Sequence, residues 1–264
     1  MSQWDVFYKK VVPYIVRIET PEGSGSFGTG FLFAFNRNKR MVGFATAAHV
    51  IQHADAWRLP IKLTHHLSGE ELFLTANDRV IELDTARDSA NILTPNPSDY
   101  LPKDALSMMD AKHFKAIGTE VAWMGYPVIA HPNLCLFSGN IAAFVPHDDS
   151  YWIDGVAING VSGGPLFCGL ADETPQLLGT ISSYMPNRLP TDTLPGMLRA
   201  HDITSFAKTM EWIKSLDEAR ENKEKEEQDK RQAEAAGTAP PTPSTTSPQE
   251  PRVESSPVPQ KAGS

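Results

Sequence analysis

A chain of 264 residues with 41% hydrophobic and 21% charged side chains has the balance of an ordinary globular protein and can bury a sizeable core, which sets aside fibrous architectures. A formal net charge of -8 and a pI near 5.5 argue against nucleic acid or an anionic membrane as partner, since both call for an excess of Lys and Arg. Cys135 and Cys168, the two cysteines, are too few for a disulfide framework and lack metal-ligand spacing, so they read as buried small hydrophobes in a reducing, cytoplasmic setting.

The N-terminal stretch MSQWDVFYKKVVPYIV places Lys9 and Lys10 inside its apolar run and has no uninterrupted core of a secretory signal. No run approaches the ~18 apolar residues of a membrane-spanning helix. From residue 11 to about residue 203, short apolar or alternating runs are separated by Gly, Pro, Asn and Asp, the punctuation of strands. VVPYIVRIE, TGFLFAF, MVGFAT, PIKLT and SANIL fill the first half; TEVAWMG, LCLFSGNIAAF, SGGPLF and QLLGTISSY fill the second. Many short strands without long helical intervals predict a sandwich or barrels.

Helical periodicity comes late. Ser205 is placed to cap a helix in which Phe206, Met210 and Ile213 recur at spacings of four and three. Residues 217 to 236 carry eight acidic and five basic side chains, which predicts a solvated helical extension. The last 28 residues, 237 to 264, hold seven prolines among Ser, Thr and Gln. That composition predicts a disordered tail, whose proline spacing also suits an SH3-like partner.

The stretch Asn159-Gly160-Val161-Ser162-Gly163-Gly164-Pro165 surrounds one hydroxyl with small residues, so a substrate backbone can approach it closely. Ser162 is the candidate nucleophile. A serine hydroxyl needs an imidazole as base, and the imidazole needs an orienting carboxylate. His49 follows Thr46-Ala47-Ala48 at the end of an apolar strand, where an imidazole can sit at the mouth of a cleft; alone it would read as a structural histidine. Asp88, at the head of Asp88-Ser89-Ala90-Asn91-Ile92-Leu93, is the favoured carboxylate, and Asp84 serves instead if the strand begins sooner.

TAAHV, DSANIL and GVSGGP, in the order His, Asp, Ser, resemble the trypsin-like serine peptidase superfamily over residues 11 to 216. Gly125-Tyr126-Pro127 and the run FSGNI at 137 to 141 are similar to the second barrel of bacterial and organellar, HtrA-type members. The resemblance implies a mainly β fold of two six-stranded antiparallel barrels, at about 10 to 112 and 113 to 203, closed by a helix at 204 to 216; the charged helix and polar tail that remain predict no PDZ domain after it. It implies a serine endopeptidase acting on polypeptides without cofactor or metal: His49 as base, Asp88 as its orienter, and the N–H groups of Gly160 and Ser162 as oxyanion hole. Val161 replaces the Asp that pairs with a new N-terminus in extracellular relatives, implying no zymogen step. Val156 stands where enzymes that cut after Lys or Arg carry Asp, implying little cleavage after basic residues. Ser182, Ser183 and Tyr184 align with the substrate-pairing strand, Tyr184 narrowing the specificity pocket towards small or medium apolar side chains. Ser89 and Asn91 depart from the aliphatic residues usual in this strand.

Other readings are weaker. GVSGG also fits the nucleophile elbow of α/β-hydrolases, but that fold needs a helix after the serine, which Gly163, Gly164 and Pro165 oppose, and a different triad order. GSGSFG at 23 to 28 fits GxGxxG yet precedes a strand rather than opening a helix. His49 and His53, and the adjacent His65 and His66, lack the glutamate of a metalloprotease motif. The alternative from another class is a silent or latent protease-fold module that binds peptides or partner proteins.

Overall fold

The computed structural model describes residues 2–21, 26–97, 100–110, 114–156, 158–169, 174–188 and 193–235. Seven strands from the first half form one antiparallel sheet: β1 (Ile15–Thr20), β2 (Ser26–Phe35), β3 (Met41–Thr46), β4 (Ile61–His65), β5 (Glu71–Leu74), β6 (Val80–Asp84) and β7 (Ser89–Pro95), ordered β5-β4-β1-β2-β3-β7-β6. Six from the second half, β8 (Glu120–Gly125), β9 (Cys135–Val145), β10 (Ser150–Asp154), β11 (Pro165–Cys168), β12 (Gln176–Arg188) and β13 (Thr193–Asp202), close into an antiparallel barrel. The helices are α1 (Gln3–Val11), α2 (Ala48–Ala56) and α3 (Ala207–Ala235). No described helix is long and apolar enough to cross a membrane.

The mainly β, double-barrel expectation holds, but the first assembly is a seven-stranded half-barrel rather than a closed six-stranded one. Closure would pair β5 with β6. Between them Asp78 instead forms a tight turn with Thr75, and buried Arg79 donates to Leu74 O (2.7 Å) and Ala54 O (3.3 Å), tying β5 to the end of α2. Residues 11–14 are not strand, as the run VVPYIVRIE suggested: α1 extends to Val11 and a 3-10 turn covers Val12–Tyr14, with Pro13 supplying a turn-compatible φ. Short or charged β5, β6 and β10, and β13 with its Pro195 and Gly196, gave no strand signal in the sequence. Cys168 is buried as expected, whereas Cys135, at the start of β9, is only partly so.

Packing explains the apolar run of β2. Phe31 and Phe33 point into a core shared with Trp123, Phe167 and Leu178 of the barrel, while Leu32, on the opposite face, joins Ile18, Phe44, Ile51 and Ile92. A strand buried on both faces reads as continuous hydrophobicity. α1 begins in a capping box of Ser2 and Asp5 and lays Phe7 edge-on against Phe167, with ring centroids 5.5 Å apart.

Phe206 stacks on Phe33 at 4.9 Å, and Ile213 is buried beyond it. The cap expected at Ser205 lies elsewhere: Asp202 accepts from Thr204 N (3.0 Å) to begin a 3-10 turn, Ile203–Phe206, and Ser205 sits inside that turn. The polar residue in β7 finds its reason at the start of α3. Asn91 Nδ2 donates to Thr209 Oγ1 (2.9 Å), Thr209 Oγ1 donates to Glu82 Oε2 (2.6 Å), and Lys208 Nζ pairs with Glu82 Oε1 (2.9 Å). Farther along, Asp217 accepts from Asn36 Nδ2 (2.9 Å) and Arg37 N (2.7 Å). The chain divides into two compact units, Met1–Glu218 and Ala219–Ser264. In the second, Arg220–Glu224 and Lys223–Glu227 are four-residue-spaced ion pairs. The tail expectation for 237–264 lies outside the described residues.

Thr209 is fully buried, so Thr209→Val strands Glu82 and Asn91 partners in the interior. The expected result is a loss of about 1–3 kcal/mol in urea unfolding. Lys214→Ala, which removes only an exposed pair with Glu218 at 3.8 Å, is expected to change stability by less than about 0.5 kcal/mol.

Candidate functional site

Helix α2 begins without a side-chain cap of its own, because Ala47 occupies the capping position. Asp88 supplies the missing acceptors from across the sheet. Its carbonyl accepts from Ala48 N (3.1 Å), and its carboxylate accepts from His49 N (2.9 Å), satisfying two of the N–H groups left open at a helix start. The same carboxylate receives His49 Nδ1 at 2.9 and 3.0 Å. Asp88 adopts a left-handed backbone, φ 47°, which Asp tolerates better than most residues and which turns both carbonyl and carboxylate towards α2.

These contacts separate the two aspartates. Asp84 is taken up by its own turn, accepting from Ala86 N, Arg87 N and the Arg87 guanidinium at 3.0–3.1 Å. Arg87 also donates to Asp149 (3.0 Å), tying the β6–β7 turn to the β9–β10 turn beside Asp88. The hydrogen bond that His49 Nδ1 donates to the Asp88 carboxylate favours the imidazolium and raises the pKa of His49 against the opposing effect of burial. With Nδ1 donating to Asp88, Nε2 is the ring nitrogen left for other work.

The segment from Ile158 to Gly164 is held by its carbonyls. Asn159 O accepts from Val128 N (2.8 Å), Gly160 O from Thr29 Oγ1 (2.9 Å), Val161 O from Gly164 N (2.9 Å) and Ser162 O from Thr29 N (2.9 Å). In a trans peptide the N–H points opposite to the preceding carbonyl. Anchoring Asn159 O and Val161 O therefore turns the N–H groups of Gly160 and Ser162 the other way, and among the described residues neither meets a protein acceptor, whereas those of Val161, Gly163 and Gly164 all do. Two such donors can hold an oxygen that develops negative charge. Gly160 has φ 92°, and a Cβ there would collide with Tyr126 O and lie 2.9 Å from the Phe27 ring. No side chain fits.

His49 and Ser162 line one cleft of about 240 Å³. Ser182, Ser183 and Tyr184 form one wall, and Ile158, Ile181 and Leu198, which sequence reading did not single out, form its apolar surface. Leu198 enters through β13, a strand with no sequence signal, by pairing with Tyr184. β11 pairs with β12 only from Gln176 to Thr180, so past Ile181 the β12 edge opposite β13 has no strand neighbour among the described residues. A side chain on Gly196 would lie 2.5 Å from the Tyr184 ring, so that glycine makes room for the tyrosine. Val156 is not brought to this cleft; it stands 55% exposed outside the lining. No hydrogen bond joins Ser162 Oγ to His49. After Ser162 the chain runs into strand β11, not a helix. His65 and His66 turn apart, His65 to Ser68 and Pro13 O, His66 to the Tyr126 hydroxyl.

No family model and no curated protein sequence matches the chain. Solved structures do. A serine endoprotease from Yersinia pestis aligns with TM-score 0.59 and 18% identity over 81% of this chain and 66% of that one. The HtrA-type protease AlgW, solved with a tripeptide, aligns with TM-score 0.58 and 17% identity over 81% of this chain and 64% of its own. The chain thus spans just under two thirds of the length of either protein. Open half-barrel, closed barrel and C-terminal helix together have the fold of the trypsin-like, HtrA-type serine proteases.

Proposed function

We propose that this chain is a serine endopeptidase that cleaves polypeptides through Ser162, His49 and Asp88. The observation that carries the reading is the imidazole of His49, fixed through Nδ1 by Asp88 and facing the cleft that it shares with Ser162. Nε2 takes the hydroxyl proton as Ser162 Oγ bonds to the scissile carbonyl carbon, and the carbonyl electron pair moves onto oxygen. The N–H groups of Gly160 and Ser162 donate to that oxyanion. His49 then delivers its proton to the amide nitrogen as the C–N bond breaks, leaving an acyl-serine. Water, activated by the same imidazole, releases the new carboxylate. The β12 edge at residues 182 to 184 receives the substrate backbone as an added strand.

The missing hydrogen bond between Ser162 and His49 favours a second reading, a latent protease-fold module that needs a bound peptide to complete the site. Catalytic hydrogen bonds often tighten only when substrate is bound, so the geometry is compatible with the first reading too.

Three measurements test the proposal. A fluorophosphonate probe is expected to add once to the protein at Ser162, with Ser162→Ala and His49→Ala both unlabelled by intact mass; labelling that appears only with added peptide selects the latent module, and labelling that persists in Ser162→Ala sinks the assignment. Because Asp88 stabilises the imidazolium, His49 is expected to titrate above the ordinary histidine value by NMR, with reactivity lost as pH falls through that midpoint. Asp88→Asn is expected to move the midpoint down and cut the rate by roughly 10⁴-fold, as in a triad whose orienting carboxylate is removed; an unmoved midpoint excludes Asp88 as the orienter. In a peptide library, the walls formed by Ile158, Ile181, Tyr184 and Leu198 lead to a preference for small or medium apolar side chains before the cut, and a profile dominated by Arg, Lys or Asp contradicts it.

A further inference from the structure

We infer that Thr29 is a positioning residue whose hydroxyl, supplied by the first β-assembly, holds the Ile158–Gly164 segment of the second in the conformation that exposes the N–H groups of Gly160 and Ser162. The inference rests on the peptidase reading for its consequence in catalysis, but not for its geometry.

Thr29 lies on β2 and is fully buried. Its hydroxyl is used in both directions: Oγ1 donates to Gly160 O (2.9 Å) and accepts from Tyr126 N (3.0 Å). Its own N–H donates to Ser162 O (2.9 Å), and its carbonyl accepts from Thr46 Oγ1 (2.7 Å), three residues before His49. One residue thus grips the peptides on either side of Val161-Ser162 and is itself held from the strand that leads to the imidazole.

The surroundings are built for this approach. A Cβ on Gly163 would collide with Thr29 O and Thr46 Oγ1, and one on Gly125 would lie 2.9 Å from Thr29 Oγ1. Beside Thr29, a Cβ on Gly28 would lie 2.6 Å from Val50 and 3.1 Å from Ser162 O. Three glycines, at positions 28, 125 and 163, keep side chains out where the segment meets Thr29. Valine has almost the shape of threonine but can neither donate to Gly160 O nor accept from Tyr126 N, so Thr29→Val frees the carbonyl that sets the peptide after Gly160. Serine keeps both bonds.

The test compares the full-length wild type with Thr29→Val and Thr29→Ser by amide hydrogen exchange, thermal unfolding and fluorophosphonate inactivation. In Thr29→Val, exchange across residues 158 to 164 is expected to accelerate roughly tenfold while that of β3 and β9 is unchanged, and in Thr29→Ser it stays near wild type. The maximal inactivation rate in Thr29→Val is expected to fall roughly tenfold to a hundredfold, the scale of a displaced reacting geometry, with no change in the probe concentration for half-maximal rate. Unchanged exchange over 158 to 164 in Thr29→Val overturns the inference, as does loosening of equal size in Thr29→Ser, which would assign the role to packing. Should Thr29→Val not fold, Thr29→Ala against Thr29→Ser makes the same comparison. A wild type inert to the probe, with the exchange difference present, removes the peptidase reading and leaves Thr29 as the anchor; a reactive wild type matched in rate by Thr29→Val removes the role of Thr29 and leaves the reading.

Discussion

Strand β2 has no face to spare, and the arrangement of the cleft follows from that. Its Leu32 side belongs to the core of the seven-stranded sheet, and its Phe31 and Phe33 side belongs to the core shared with the closed barrel, so the strand cannot shift towards one assembly without opening the other. Thr29 stands where this doubly buried strand meets the segment carrying Ser162. The relative placement of imidazole and hydroxyl is therefore a property of the junction between the two assemblies. Neither could hold the cleft by itself, because His49 and Asp88 come from one and Gly160 and Ser162 from the other.

Asp88 shows how a helix start and an imidazole can share one set of acceptor atoms. The start of α2 needs acceptors, and the imidazole needs a fixed tautomer. A carboxylate held in a left-handed backbone meets both, and its helix-capping bonds help to offset that backbone strain. The same logic runs through the Ser162 segment, where anchoring the carbonyls of Asn159 and Val161 on protein turns the N–H groups of Gly160 and Ser162 away from protein acceptors.

The polar departures in β7 have a comparable explanation at one of the two positions. Asn91, out of place among aliphatic residues, is the near end of a buried network through Thr209 and Glu82 to Lys208 that docks α3. Read from the strand alone it looks like a packing defect, because Thr209, the acceptor of its amide, lies more than a hundred residues away. The hydroxyl of Ser89 is buried without a partner among the described residues, and nothing in the structure explains its choice.

What the sequence by itself determined is local: alternating and continuous apolar runs that made strands, glycines that only small backbone neighbours could use, and the ordered His, Asp and Ser motifs with their resemblance to a fold. Short range patterns carry these because side-chain period and turn chemistry act within a few residues. The tertiary structure alone decided which of Asp84 and Asp88 meets the His49 imidazole, since that depends on which carboxylate lies beside α2 after β6 and β7 pair. It alone brought Leu198 and Ile158 to the cleft, left Val156 outside it, opened the first assembly at β5 and β6, and set Thr29 against Gly160. Thr29 and Gly160 are 131 residues apart, and no local pattern encodes a partner that arrives only when two β-assemblies pack together.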